Sequence, residues 1–311
     1  MIKEFKWDTH EEWLAIRAKY IGGSDAASVI GRNPYRSAYA LWAEKTGKMP
    51  GFEGNLTTKV GSFLEDLVAD LFEDATGKKV RKRNRTLVND LYPFACANID
   101  RRVVGEEAFL EIKTTNSIPI MRELRNGGQE FPDSYYTQCV HYLAVTGYQK
   151  CYLAVLVNCR ELKIYELERD QEEIDALMEA EKEFWDCVIN DTPPAPDGLS
   201  STTEALEYLY PSADDQVMDL GKIKGYLDEY VDISRRIKEL SQLKDQTANV
   251  IKDYMGSAGK GITEGYSVTY GNQERSTFDT KAFKAAHREI DLEPYFKKSV
   301  TRTFRVTEKG A

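Results

Sequence analysis

No apolar run in this 311-residue chain approaches the roughly 20 residues that cross a bilayer as a helix, which excludes a helical membrane protein. The opening residues, Met-Ile-Lys-Glu-Phe-Lys-Trp-Asp, lack the apolar core of a signal peptide. Cysteine is scarce and odd in number (Cys96, Cys139, Cys151, Cys159 and Cys187), and no pair has C-x-x-C spacing. A zinc ribbon, an iron–sulfur cluster and a disulfide frame are thereby disfavoured, and buried thiols in a reducing cytoplasm are expected. Positive charge is also short, leaving a net charge of −9. That balance argues against a protein that coats nucleic acid, although a local basic patch would still serve an enzyme that holds DNA at one place. What remains is a chain with 41% hydrophobic and 30% charged residues, enough for a real core. Its length suits one large domain or two ordinary ones.

One segment supplies positive potential: Lys78, Lys79, Arg81, Lys82, Arg83 and Arg85 lie between Gly77 and Thr86. It reads equally as a DNA-backbone contact or as an edge strand guarded by charge.

Local signals predict the elements. Thr9 and Glu12 form a capping box that opens a helix running to about Tyr20. Ser24 or Asp25 caps a second helix, Ser37 a third, and a strongly apolar helix spans Gly61–Thr76 through Phe63, Leu64, Leu67, Val68, Leu71 and Phe72. Strands are predicted around Val80–Val88, Phe94–Asp100 and Ala108–Lys113, then a helix from Pro132-Asp133. Cys151–Val157 reads as a central strand, Leu162–Leu167 as the next, and Asp170–Ile189 as a helix. The proline cluster from Thr192 to Gly198 marks a domain boundary, giving 1–198 and 199–311. Beyond it, apolar residues from Ile223 to Tyr254 recur at three- and four-residue steps, as in a long amphipathic helix or coiled coil. Strand-like pieces at Ser267–Tyr270 and Val300–Val306 flank a helix from about Thr280.

The most informative stretch is Asn98 to Thr114. Asp100 is followed by a polar turn at Gly105-Glu106-Glu107 and then by Phe-Leu-Glu111-Ile-Lys113-Thr. Side chains two apart on a strand share a face, so Glu111 and Lys113 project together while Leu110 and Ile112 point away. A hairpin would bring Asp100 beside them. Burying such charges demands pairing or a metal, and hard oxygen ligands suit Mg²⁺ or Mn²⁺.

The order of these elements, with Asp100…Glu111-x-Lys113, resembles the PD-(D/E)XK nuclease superfamily. That resemblance implies an α/β (α+β) fold of restriction-endonuclease type: a central mixed sheet flanked by helices, here followed by a long C-terminal helix and a small β element. It also implies an acidic ligand on the preceding helix, which Gly61-Ser-Phe-Leu-Glu65 matches, and a Q-x-x-x-Y helix, which Gln138 and Tyr142 match. Within the superfamily, Trp13-Leu-Ala-Ile-Arg17, Ile21-Gly-Gly-Ser24-Asp-Ala-Ala and Gly31-Arg-Asn-Pro34-Tyr are similar to the YqaJ-like phage recombination exonucleases, the family that includes lambda exonuclease.

The resemblance covers about residues 9–195 and implies a site in several parts. Glu65, Asp100, Glu111 and the carbonyl of Ile112 would hold Mg²⁺ or Mn²⁺. Lys113 would orient or help deprotonate the attacking water, with Gln138 and Tyr142 positioning it. Arg17, Ser24, Asn98 and Gln138 would hold the terminal 5′-phosphate. Asn98 stands where the family can have a serine, which puts end preference in question. The implied function is 5′→3′ digestion of double-stranded DNA ends in phage-type recombination, in a bacterial cytoplasm. A ring-shaped trimer and a single-strand annealing protein are the implied partners. A site-specific restriction-type endonuclease is the alternative with the same chemistry, and a non-catalytic DNA-end-binding module the alternative without it.

Overall fold

The computed structural model describes residues 1–51, 54–124, 131–297 and 301–308. The chain divides into two units, Met1–Tyr210 and Pro211–Ala311.

The first unit begins with β1 (Ile2–Lys6), α1 (His10–Arg17), β2 (Ile21–Gly22), α2 (Gly23–Val29), α3 (Ala38–Lys45) and α4 (Leu56–Thr76). Then come β3 (Val80–Arg81), β4 (Arg85–Asn89), β5 (Ala95–Ala97), β6 (Arg101–Val103), β7 (Ala108–Thr115), α5 (Ile118–Glu123) and α6 (Asp133–Thr146). It closes with β8 (Lys150–Val157), β9 (Glu161–Glu168), α7 (Gln171–Ile189) and α8 (Ser200–Leu209).

A five-stranded mixed sheet runs β3-β6-β7-β8-β9, with β7 and β8 parallel and the other pairs antiparallel. A second sheet of four strands runs β1-β4-β5-β2. The alternation of β7 decides what lies on each side of the larger sheet. Phe109 faces the α6 side, in one core with Leu143, Leu153 and Val155. Leu110 and Ile112 face α4, in a second core with Val68, Ala69, Phe72 and Tyr152. Burying a side chain of this size contributes about 1.5–3 kcal/mol, so the two cores fix the register of β7 and with it the placement of Glu111 and Lys113.

Local signals act as expected at several ends. Thr9 accepts from the Glu12 N–H and Glu12 reaches back, closing the capping box. Ser37 caps α3, accepting from Ala40 N at 3.0 Å, and Asp170 caps α7. Other boundaries shift. The cap of α2 is Gly22, not Ser24 or Asp25, because the Asp25 carboxylate is inside the helix and accepts from Gly22 N at 3.0 Å. Helix α4 starts earlier than expected, with Asn55 accepting from Thr58 N as cap. Its apolar face is also narrower: Val68 and Phe72 are buried, but Phe63 is 84% exposed and Leu67 49%. The expected strand Val80–Val88 is two strands in two sheets, separated at Lys82–Asn84.

The first unit runs past the proline cluster. Ser201 Oγ accepts from Ser37 N at 2.9 Å, and Ala205 is fully buried in the main core, so α8 belongs with α3 rather than with the tail. The boundary therefore falls at Tyr210/Pro211 instead of 198/199. The five cysteines are free thiols, with Cys96, Cys139 and Cys151 buried and Cys159 exposed in the β8–β9 turn. Among the described residues no helix is long and apolar enough to cross a membrane.

The second unit contains α9 (Lys224–Met255), the hairpin β10 (Lys260–Thr263) and β11 (Tyr266–Thr269), and α10 (Thr280–Ala286). The long helix is where the apolar periodicity placed it. Residues 301–308 are not a strand, and Val300 of the expected segment Val300–Val306 lies outside the described residues.

Candidate functional site

The hairpin β6–β7 pairs Arg101 with Leu110 and Arg102 with Phe109, then stops. Just beyond that last pair, Asp100 Oδ2 accepts from Ile112 N at 2.7 Å. The N–H and C=O of one strand residue lie along the same edge, so the Ile112 carbonyl also faces the Asp100 side, clear of the β6 ladder. Glu111 is 2% exposed, and its Oε1 accepts from Gln138 Nε2 at 2.6 Å and lies 2.9 Å from Lys113 Nζ. Lys113 Nζ donates to Gln138 Oε1 at 2.8 Å and sits over the Tyr135 ring at 5.5 Å. Gln138 Nε2 also donates to Tyr142 Oη at 3.3 Å. Thus Gln138 uses both ends of its amide to clamp the Glu111–Lys113 pair, which is what a Gln and a Tyr one helical turn apart can do.

The electrostatics are those of crowded carboxylates. Burial, then the charge of Glu111, pushes the Asp100 carboxyl well above the usual range, against the pull of Lys113. Burial likewise raises Glu111, opposed by Lys113. Burial works against the Lys113 ammonium, but Glu111 and Asp100 outweigh it and hold its pKa above the ordinary lysine value. A lysine so held is a cation. It can orient a water and offset phosphate charge, whereas the expected share in deprotonating that water would need the neutral amine.

The donor set fits a hard divalent cation. Glu111 Oε2 is buried without a hydrogen-bond partner, and Glu65 adds to the proton affinity of both Asp100 and Glu111, a repulsion that a cation relieves. Glu65 itself is a quarter exposed, 3.7 Å from Lys82 Nζ and 3.9 Å from Arg101 Nη1. Among the described residues no three acidic, histidine or cysteine side chains close around one point. Ligation of one ion by Glu65, Asp100 and Glu111 would require these side chains to draw together.

A second cluster adjoins the first. Arg17 Nη2 donates to Ser24 Oγ and lies 3.5 Å from Asp25 Oδ1, with its guanidinium 5.1 Å over the Trp13 ring. Asp25 is 2% exposed and meets two further cations: Lys45 Nζ at 2.9 Å, and Arg36, which also pairs with Glu44 at 3.2 Å. Burial opposes ionisation of Asp25, yet Lys45, Arg17 and Arg36 together hold its carboxyl well below the usual range. Three cations against the Asp25 and Glu44 carboxylates leave one surplus positive charge beside the Ser24 hydroxyl, the electrostatics of an anion pocket. Sequence reasoning found Arg17 and Ser24 but missed Asp25, Arg36 and Lys45. The available signal was the capping position of Asp25, which was read as a helix start.

Gly23 joins the two clusters. A Cβ there would stand 2.4 Å from Tyr142 Cε1 and 2.9 Å from Gln138 Cγ, so α2 meets α6 where only glycine fits. Gly23→Ala is expected to displace the Gln138 clamp, costing about 1–3 kcal/mol of stability as overpacked sites do. A lowered melting midpoint together with weakened DNA cleavage checks this; wild-type values for both would contradict it.

Two further groups of expected DNA-contact residues have partners within the chain. Asn98, expected at the phosphate, donates both amide hydrogens to β4, at the Arg85 carbonyl (3.3 Å) and Thr86 Oγ1 (2.8 Å). Most of the basic run is paired with acids, of which Glu73 is near in sequence and Glu4 and Glu106 are distant. Lys78 pairs with Glu106 at 2.5 Å, Lys79 with Glu73 at 2.6 Å, and Arg83 and Arg85 with Glu4 at 3.0 and 3.8 Å. Lys82 faces Glu65 and Asp66, which leaves exposed Arg81 as the member with the least claim on it. These pairs are those of a charge-guarded edge.

Residues 12–149 match the model of the YqaJ-like viral recombinase domain. The Bacillus subtilis (strain 168) protein YqaJ, itself uncharacterised, is 37% identical over 306 residues, spanning 96% of this chain and 95% of its own length. The chain belongs to the YqaJ family. Protein D345L of African swine fever virus (strain Badajoz 1971 Vero-adapted) is 36% identical over 73 residues, 24% of this chain and 21% of that protein. Among solved structures, the alkaline exonuclease LHK-Exo of Laribacter hongkongensis has the same fold, at 21% identity and a TM-score of 0.50, over 58% of this chain and 93% of its own. Its complex with dAMP matches at 20% identity and a TM-score of 0.51 over the same shares. The shared fold is the PD-(D/E)XK type expected from the order of helices and strands.

Proposed function

We propose that this YqaJ-family member is a divalent-metal-dependent exonuclease that digests double-stranded DNA from 5′ ends, exposing 3′ strands for recombination. The observation that carries the reading is the contact of two clusters through α6. Gln138 clamps Glu111 and Lys113, and Gly23, at the start of the helix that carries Ser24, abuts the same Gln138. A phosphate gripped at Arg17 and Ser24 would lie beside the carboxylates. An anion grip adjacent to a cutting centre favours an end-directed enzyme over one that cuts internally.

Glu65, Asp100, Glu111 and the Ile112 carbonyl would hold Mg²⁺ or Mn²⁺, which would supply Lewis acidity and an activated water. Lys113, held as an ammonium, orients that water and offsets charge building on the phosphate. Gln138 and Tyr142 fix the lysine. Arg17, with the Ser24 hydroxyl, anchors the terminal phosphate, and Asp25 with Arg36 and Lys45 keeps the arginine in place. The protein would act as a homo-oligomer in the bacterial cytoplasm, delivering single strands to an annealing protein.

Equal masses of linear and covalently closed circular duplex, incubated with Mg²⁺ and with EDTA, test the assignment. Loss of the linear form alone, stopped by EDTA, is expected; cutting of the circle would make it an endonuclease. Because the Asn98 amide is already engaged, Asn98→Ala is expected to change the preference for a 5′-phosphate much less than Arg17→Ala does. Initial rates on 5′-phosphorylated and 5′-hydroxyl duplexes measure this, and a larger effect at Asn98 would return that residue to the pocket.

A further inference from the structure

The buried face of α7 is apolar except at one position. Ile174, Leu177, Met178 and Phe184 pack inward, and Glu181 stands among them fully buried. An ionisable side chain in such a place is costly unless its charge is matched. Its partner is His141 of α6, also fully buried, with Nδ1 2.7 Å from Glu181 Oε1. The other ring nitrogen, Nε2, lies 2.9 Å from the Cys96 carbonyl on β5. Glu181 Oε2 is buried without a hydrogen-bond partner among the described residues, so the carboxylate depends on this one contact.

The protons of this trio can be counted. A carbonyl only accepts, so Nε2 carries a hydrogen and donates to Cys96. Nδ1 and Glu181 Oε1 then need one proton between them, on the imidazole or on the acid. Without it, a neutral ring has one N–H for two acceptors, and one contact is lost whichever tautomer forms. Burial opposes the imidazolium, but Glu181 outweighs it and holds the His141 pKa above the ordinary histidine value. Burial also raises Glu181, against the pull of His141. Asp25 of α2, itself paired with Arg17, Arg36 and Lys45, raises both further. The Cys96 thiol and the Tyr142 phenol, whose ring lies 5.8 Å from that of His141, are titratable neighbours.

We infer that the His141–Glu181 pair, through the proton it shares, positions the phosphate grip at Arg17 and Ser24 relative to the Gln138 clamp. The inference rests on the grip proposed above. Three elements meet at the pair. Helix α6 carries Gln138 one turn before His141, and Gln138 abuts Gly23 at the start of α2. Strand β5 carries Cys96, whose register partner on β2 is Gly22, two residues before Ser24. Helix α7 supplies Glu181 and packs against both α6 and α2. The pair thus ties the helix of the cutting centre to the strand that leads into the grip. A histidine raised above its unfolded value contributes fully below the ordinary histidine range, and that contribution is lost as pH rises through the raised value.

The test measures the affinity of the full chain for duplexes with 5′-phosphate or 5′-hydroxyl ends, in EDTA, from about pH 7.5 to 9.5, where the terminal phosphate stays ionised. The ratio of the two affinities cancels any general change in DNA binding. Histidine NMR on the His10→Gln/His287→Gln chain, in which His141 is the one histidine left, follows its proton over the same range. Glu181→Ala removes the contact, whereas the amide of Glu181→Gln donates to Nδ1 of a neutral ring and needs no shared proton. At the lowest pH, Glu181→Ala is expected to lose at least about fivefold of the phosphate preference, the scale of one hydrogen bond, while Glu181→Gln keeps it. With rising pH the wild-type preference falls in step with the His141 proton, and that of Glu181→Gln stays flat. Thermal melts establish that each variant is folded; should Glu181→Ala not be, the wild-type and Glu181→Gln curves decide. Full preference in folded Glu181→Ala, or a wild-type preference that does not follow the His141 proton, overturns the inference and leaves the grip standing. No preference in wild type at any pH overturns the grip and the inference together.

Discussion

Lys113→Ala is expected to slow digestion of linear duplex by about 10²–10³-fold, the scale lost when one group that stabilises transition-state charge is removed. The lysine ammonium lies 2.9 Å from the buried Glu111 Oε1 and 2.8 Å from Gln138 Oε1. Without it, nothing else in the clamp offers positive charge to the reacting phosphate. The fold is expected to survive. Burial already raises the Glu111 carboxyl, and loss of its partner shifts it further toward the neutral acid and away from a bare buried charge. Single-turnover digestion of purified variant and wild type, with thermal melts in parallel, checks both halves. Wild-type activity in Lys113→Ala would remove the lysine from the chemistry. A collapsed melt would mean that its role is structural.

Asp25→Asn is expected to produce the largest loss of stability. The carboxylate is 2% exposed and balances Arg17, Arg36 and Lys45 at once. Breaking a buried charge network from one side costs about 3–5 kcal/mol, because the surviving charges stay buried and unmatched. For a unit of this size that lowers the melting midpoint by roughly 6–20 °C. The pH dependence has a definite sign. The folded-state pKa of Asp25 is depressed below its unfolded value, so its contribution is full above the ordinary carboxylate range. That contribution is lost as pH falls through the depressed value. Wild type should therefore lose stability toward acid more steeply than Asp25→Asn, and the two curves should converge at low pH. Parallel curves, or an unchanged midpoint, would contradict the network.

Much of this was legible in the chain because the determining interactions are local or periodic. Thr9 and Glu12 sit three residues apart, Glu111 and Lys113 alternate with Leu110 and Ile112, and the apolar residues of α9 recur at three- and four-residue steps. Each such pattern needs no knowledge of distant partners. What escaped the reading depends on residues brought together from afar. β1 is a short edge strand whose partner β4 lies some eighty residues on, in register Ile2↔Asn89 to Lys6↔Arg85. The pairing of the basic run depends in part on Glu4 and Glu106, which the fold brings from afar. Asp25 had the residue type and position of a helix cap, and only the arrival of Arg36 and Lys45 shows it as the centre of a charge cluster. The partners of Asn98 depend on distant residues too, since its amide donates to β4. The apolar count of α4 overstated its buried face because a count cannot tell which of two stripes meets the sheet.

The central claim is that an anion grip at Arg17 and Ser24 and a metal-dependent cutting centre at Asp100, Glu111 and Lys113 work on one DNA end. The most direct measurement is the initial rate of nucleotide release from linear duplexes bearing 5′-phosphate or 5′-hydroxyl ends, each with Mg²⁺ and with EDTA. The account predicts release in Mg²⁺ only, faster from the phosphorylated end, with that preference abolished by Arg17→Ala. Release in EDTA, or a preference indifferent to Arg17, would contradict it.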